Sequence, residues 1–229
     1  MPRLAIFDID ATLVHPSTGV QLATGLRRQG VIGAWEVITG LLHLTLVRLN
    51  LMSYSTLIRK GMAIVEGRRL DEVDAWFERV FLEQVRFSFI QTTTEKLLEH
   101  KRKGDAVVLI SATSSILGRY IAEALEVEFW VCAEVRVERG LIVNEVIEPV
   151  PYGQGKVVHA QRFAQELGLS LDDAFFYTDS ISDLPLMERV GNPVVVNPDP
   201  FLRSRGRKRD WPMLEDRRVA DIRVLMEGI

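Results

Sequence analysis

Leu4-Ala5-Ile6-Phe7-Asp8-Ile9-Asp10-Ala11-Thr12-Leu13 decides how the chain is read. It opens as a short apolar run of strand length and strand residues. It then delivers two carboxylates. A buried strand that stops on an acidic pair is unfavourable unless something charged compensates it. Like charges a few ångströms apart raise one pKa or recruit a cation. In open α/β sheets, ligands bind beyond the carboxyl ends of the strands. Asp8 and Asp10 therefore point to a metal-linked site; the competing reading is an N-cap aspartate in an ordinary strand-to-helix turn.

The 229 residues suffice for one large domain or two smaller ones. Hydrophobic residues make up 47%, which allows a sizeable core without cross-links. A net charge of −3 gives no reason to expect a nucleic-acid partner. The single cysteine, Cys132, excludes an intrachain disulfide framework. It lies in Phe129-Trp130-Val131-Cys132 and reads as a buried thiol. The N-terminus enters the first strand without a signal-peptide pattern. With the lone cysteine, this gives a cytoplasmic expectation. The most apolar region, Val31 to Met52, contains Glu36, His43 and Arg48, and its uncharged run falls short of the ~20 residues of a membrane span. It reads as a buried or partner-facing helix. That counts against membrane contact and is compatible with a homodimer formed through apolar helices.

Strand 1 covers about Arg3 to Asp8, and His15-Pro16-Ser17-Thr18-Gly19 is loop chemistry. From Val20 to Lys103 the pattern is helical, with no convincing strand. Helices are expected over Ala34 to Asn50, Ser53 to Glu66, Asp71 to about Phe87, and about Thr94 to Lys103. In the third, Val73, Trp76, Phe77, Val80 and Phe81 form one apolar stripe. Ala106-Val107-Val108-Leu109-Ile110 reads as a strand covered on both faces, ending at the hydroxyl-rich Ser111-Ala112-Thr113-Ser114-Ser115. Phe129 to Ile147 reads as a strand and a hairpin turning at Arg139-Gly140. Gly153-Gln154-Gly155-Lys156 opens a helix to about Leu167. Lys156 opposes the dipole there, which makes sense if it faces an anion. Ala174 to Thr178 is another buried strand, followed by Asp179-Ser180-Ile181-Ser182-Asp183-Leu184-Pro185 and a short helix to Val190. Pro193 to Asn197 is the last buried strand. The basic run Arg203 to Arg209 reads as a solvated surface segment.

The expected fold is α/β: a doubly wound, Rossmann-like, mainly parallel sheet with an inserted all-helical cap. Residues 1–14 and 105–229 would form the core. The insert, 15–104, is about 90 residues, longer than an ordinary crossover. Three strands then end in Asp8/Asp10, Ser111 and Asp179/Asp183, with Lys156 opening a helix between the last two. Such ends meet on one sheet edge. Carboxylates for a hard cation, a hydroxyl and an ammonium together suit phosphoryl transfer.

With these motifs in order, the chain resembles the haloacid dehalogenase superfamily, specifically its phosphoserine-phosphatase-like subfamily IB with a helical cap. Asp8-Ile9-Asp10-Ala11-Thr12 matches the first motif, DxDxT. Ser111 matches the second, Lys156 the third, and Asp179 to Pro185 the fourth. The resemblance implies a Mg²⁺-dependent phosphatase acting on a small phosphorylated metabolite. Asp8 would be the nucleophile and Asp10 the general acid and base. Ser111 and Lys156 would bind the phosphate. Asp8, the Asp10 carbonyl and Asp179 would hold the metal, with Asp183 orienting the metal's waters or Lys156. Ala11 stands where Gly, Ser or Asn is more usual. His15-Pro16-Ser17-Thr18 offers no acid where phosphoserine phosphatases carry one to read the substrate amine, which counts against phosphoserine. His15 would touch the leaving group or lie on the surface. Arg59, Arg68 and Arg69 would read an acidic leaving group or be ordinary surface arginines. Two other classes share the fold: a phosphoaspartate receiver and a catalytically silent binding protein.

Overall fold

The computed structural model describes residues 1–48 and 51–227. The chain runs β1 (Leu4–Phe7), α1 (Thr18–Arg28), α2 (Ala34–Arg48), α3 (Tyr54–Met62), α4 (Leu70–Glu83), β2 (Phe89–Ile90) and α5 (Gln91–Arg102). It continues through β3 (Ala106–Ser114), α6 (Ser115–Ala124), β4 (Phe129–Ala133), β5 (Val135–Glu138), β6 (Leu141–Val146) and α7 (Gln154–Leu167). It closes with β7 (Phe175–Thr178), α8 (Leu184–Met187), β8 (Asn192–Val196), α9 (Pro200–Lys208), β9 (Met213–Leu214), β10 (Val219–Ala220) and α10 (Ile222–Glu227).

Six strands form one sheet in the order β4-β3-β1-β7-β8-β9. Every pairing in it is parallel. This is the expected α/β sheet. Strand side chains alternate between faces, and β1 shows the result. Leu4 and Ile6 pack with Val157, Ala160 and Phe163 of α7 and with Leu186 and Leu202. Ala5 and Phe7 pack with Leu97 of α5, Leu117 and Ile121 of α6, and onward to Phe77 and Val80 of α4. Both faces are therefore covered, as the unbroken apolar runs require. The central strand β1 is wholly buried, and its end falls in the middle of the sheet's carboxyl edge.

Helices α1 to α4 follow β1 and pack on one another, α1 against α2 and α4, and α2 against α3. The α4 stripe is inward: Val73, Phe77, Val80 and Phe81 are buried. Helix α5, by contrast, lies against β1 and β3. The hairpin β5–β6 turns at Arg139-Gly140, both at positive φ, as a two-residue turn demands. It reaches the helices: the Gly67 amide donates to the Ile142 carbonyl, the Ile142 amide to Arg68, and the Leu70 amide to Gly140.

The structure adds to or departs from the sequence reading in several places, among them the end of the expected insert 15–104, where α5 lies on the sheet. Strand β3 does not stop at Ser111 but runs to Ser114, because β4 keeps pairing with it as far as Ala133 after an irregularity in register. A two-residue strand, Phe89–Ile90, interrupts the helical stretch by pairing with Val219–Ala220. The basic run forms helix α9: Asp199 caps it by accepting from the Phe201 and Leu202 amides. Arg205 and Arg209 pair with Glu188, and Arg203 with Glu215. Helix α2 is apolar on both sides; Trp35 is 70% exposed, Ile38 and Leu42 more than half. The expected end of that helix, Asn50, lies outside the described residues.

Candidate active site

Asp8 immediately follows β1, and its amide donates to the Tyr177 carbonyl of β7 at 3.0 Å. The neighbouring strand therefore fixes the backbone beneath the carboxylate. Lys156 lies in the first turn of α7. It is 2% exposed, so its ammonium is withdrawn from bulk water and faces anions, as its place at the helix start suggests. Its Nζ stands 2.9 Å from Asp8 Oδ1 and 2.7 Å from Asp183 Oδ2. The helix start packs directly on the preceding loop, which residue 155 allows by being glycine; a Cβ there would lie 1.8 Å from the Val150 carbonyl oxygen. Asp183 is itself held by the Thr178 hydroxyl, which donates to Oδ2 at 2.6 Å.

Asp10 is oriented from two sides. Its Oδ1 accepts from the Thr18 amide at the start of α1, at 2.5 Å, and its Oδ2 from the Thr113 hydroxyl at 3.1 Å. Thr113 Oγ1 also lies 3.0 Å from Thr18 Oγ1 and 3.2 Å from Ser111 Oγ. The first motif, the β3 end and the start of α1 thus share one hydroxyl network. The turn that aims Asp10 carries Ala11 at φ +53°, a backbone region that favours glycine or asparagine. Asp8, Asp10, Ser111, Lys156, Asp179 and Asp183 all line one cavity of about 400 Å³.

The electrostatics follow from four carboxylates facing one ammonium. Burial pushes Asp8 up to about 6; Lys156 opposes this, and Asp183 and Asp10 add to it. Burial also holds Asp179 well above the usual carboxylate range, followed by the charges of Asp8 and Asp183. Burial alone would push the Lys156 ammonium down, but Asp183 and Asp8 outweigh it and hold the pKa above the ordinary lysine value.

This surplus of negative charge is what a hard divalent cation would neutralise. Among the described residues, no three His, Cys, Asp or Glu side chains form a metal cage. Mg²⁺ does not require one: it takes one or two carboxylates and fills its sphere with water and substrate phosphate. The donor set fits that pattern.

Of the two roles open to His15 and to the three cap arginines, contact with the leaving group is not made. His15 is outside the cavity lining. So are Arg59, Arg68 and Arg69; Arg68 pairs with Glu72 and Arg69 with Asp71 on the surface. Cys132 is buried, as expected. Among the lining residues that the sequence reading did not name as site residues are Thr18, Thr113, Tyr54 and Tyr152. The last two stack at 4.3 Å, and Tyr54 donates to the Ala112 carbonyl at 3.3 Å. The hydroxyl-rich run after Ser111 was the one available signal for Thr113. Tyr54 sits far from any motif.

The haloacid dehalogenase-like hydrolase profile matches residues 5–188. The chain belongs to that family. A relative named phosphoserine phosphatase SerB1, from Mycobacterium tuberculosis, is 30% identical over 94% of this chain and 71% of its own length. A protein of unknown function from Bordetella pertussis superposes with a TM-score of 0.85 at 25% identity, covering 93% of this chain and 99% of that one. A substrate-bound phosphoserine phosphatase superposes at 0.72 with 18% identity, covering 100% and 99%, and shares the fold. The expected class, a phosphoric monoester hydrolase of the haloacid dehalogenase type, is borne out. Among the described residues no helix is long and apolar enough to cross a membrane.

Proposed function

We propose that the protein is a Mg²⁺-dependent phosphomonoesterase working through an aspartyl-phosphate on Asp8. The observation that carries this reading is Lys156 Nζ bridging Asp8 and Asp183 inside the cavity that Asp10 and Asp179 also line. A nucleophile, an acid–base group and a charge-stabilising cation thus share one space.

In the first step an Asp8 carboxylate oxygen attacks phosphorus, and the bond from phosphorus to the alcohol oxygen breaks. Asp10 gives that oxygen a proton. In the second step water attacks the phosphorus of the acyl phosphate while Asp10, now a base, takes a proton from the water. The bond from phosphorus to Asp8 breaks, releasing inorganic phosphate. The Ser111 hydroxyl and the Lys156 ammonium hold phosphoryl oxygens as charge builds. Asp183 and Thr178 keep Lys156 aimed. The Thr18 amide and Thr113 hydroxyl hold Asp10 at the leaving-group side. Asp8, the Asp10 carbonyl and Asp179 would hold Mg²⁺, which when bound offsets the repulsion between an anionic substrate and these carboxylates. In this reading helices α1 to α4 cap a core formed by the sheet and its flanking helices.

Hydrolysis of an aryl phosphate by wild type, Asp8→Asn and chelator-treated protein tests the reading. Turnover in wild type alone supports it; wild-type rates in Asp8→Asn overturn it. A receiver would instead hold its phosphate for long periods. The acid two residues after Asp8 favours turnover.

A further inference from the structure

The cavity has two chemically different ends. Its polar lining comes from the carboxyl ends of β1, β3 and β7 and from the start of α7. The rest of its wall comes from α1 to α4 and the β5–β6 hairpin, and there it is almost continuously apolar, with Leu22, Leu26, Leu44, Val47, Ile58 and Met62 among the lining side chains. Among the described lining residues, Lys156 is the one Lys, Arg or His, and it is already engaged by two carboxylates. The remaining charged side chains of the lining away from the motifs are acidic, Glu36 and Glu134. Glu36 is occupied by its own helix start, accepting from the Gly33 amide at 2.9 Å.

These facts count against an anionic alcohol behind the phosphate. A leaving group bearing a carboxylate or a second phosphate would find no cation to pair with. Burying a charge unpaired is strongly unfavourable, and so is burying an unpartnered hydroxyl or amide. A hydrocarbon chain meets neither cost and gains with every methylene taken out of water. A volume of about 400 Å³ is in the range of sites that enclose small organic ligands.

Resting on the phosphatase reading above, we infer that the substrate is an amphiphile: the phosphomonoester of a long apolar alcohol, whose tail lies along α1 to α4. The same wall accounts for part of the unusual apolarity of α2, since Leu41, Leu44 and Val47 face the cavity.

The test separates binding from chemistry. Dissociation constants for ethyl-, butyl-, hexyl- and octylphosphonate, which are not hydrolysed, are measured by calorimetry with Mg²⁺ at concentrations below aggregation. Affinity is expected to rise roughly three- to fourfold per added methylene until the cavity is filled. A flat series overturns the inference whether or not the protein is a catalyst. In parallel, kcat/KM for octyl phosphate is expected to exceed that for phosphoserine at least a hundredfold. A preference for phosphoserine overturns the inference and leaves the phosphatase reading intact; no turnover of p-nitrophenyl phosphate counts against the phosphatase reading alone. Leu44→Gln and Ile58→Asn are each expected to cut the octyl-to-ethyl affinity ratio at least tenfold. An unchanged ratio in a variant that still unfolds cooperatively overturns the placement of the tail. Should neither variant fold, the wild-type series decides.

Discussion

The Asp183 carboxylate accepts from Lys156 Nζ at 2.7 Å, so a residue that need not touch substrate sets where the ammonium points. Replacing Asp183 by Asn keeps the shape and removes the charge. We expect kcat to fall by about 10- to 100-fold. Lys156→Ala does more, because Asp8 and Asp183 are then buried without a counter-charge. Loss of a buried partner of this kind costs about 3–5 kcal/mol, to be read from urea unfolding in the presence of chelator. A Lys156→Ala protein as stable as wild type would show that the carboxylates are not charged together.

Asp8 gives a pH dependence with a defined sign. Its value rises from 3.8 to about 6 on folding, so the native state holds a proton that the unfolded chain releases. Acid therefore favours the fold in this range. Above about pH 6 the buried charge opposes folding by roughly 2–3 kcal/mol at 1.36 kcal/mol per pH unit. Metal-free Asp8→Asn should melt higher than wild type at pH 7 to 8, with the gap closing towards pH 4. In activity, kcat/KM should drop on the acid side as the nucleophile is protonated, and Mg²⁺ should move that limb to lower pH. Calorimetric scans and a pH–rate profile check both; a variant that melts lower at neutral pH contradicts the first.

Ala11 occupies a left-handed position at φ +53°. An L residue there costs about 1–2 kcal/mol, part of which glycine returns through its freer unfolded chain. Ala11→Gly should raise stability by about 0.5–1 kcal/mol with the site undisturbed. Ala11→Val should lower it, because a β-branched residue tolerates this backbone poorly. Melting temperatures of the two variants suffice.

Thr113→Val preserves volume and deletes one hydroxyl from the network that aims Asp10. A hydrogen bond to a charged group contributes about 1.5–3 kcal/mol. We expect a comparable loss of transition-state stabilisation, roughly 10- to 100-fold in kcat. An unchanged kcat would mean that the Thr18 amide alone orients the acid.

The motif residues were legible because a parallel sheet gathers strand ends that are far apart in the chain. Asp8, Ser111, Asp179 and Asp183 needed only that rule to be brought to one cavity, and Lys156, at a helix start, was placed by its order among them and by the family resemblance. Thr18 was not legible. What it supplies is a backbone amide, and its place depends on how the loop from Val14 folds back. The two-residue strands β2 and β10 were too short to show a period. Helix α2 gave no inward face because both its sides are apolar. The basic run is a surface segment, as read; its pairing with Glu188 and Glu215 was not legible because those partners lie on other elements.

The hairpin β5–β6 follows β4 in the chain, yet its amides and carbonyls are shared with residues 67–70. A displacement of residues 67–70 would pull on this ribbon. The strain would fall on the segments either side of it, next to β4 and before α7. Stiffening those segments would slow substrate admission and product escape alike, without altering one reacting group.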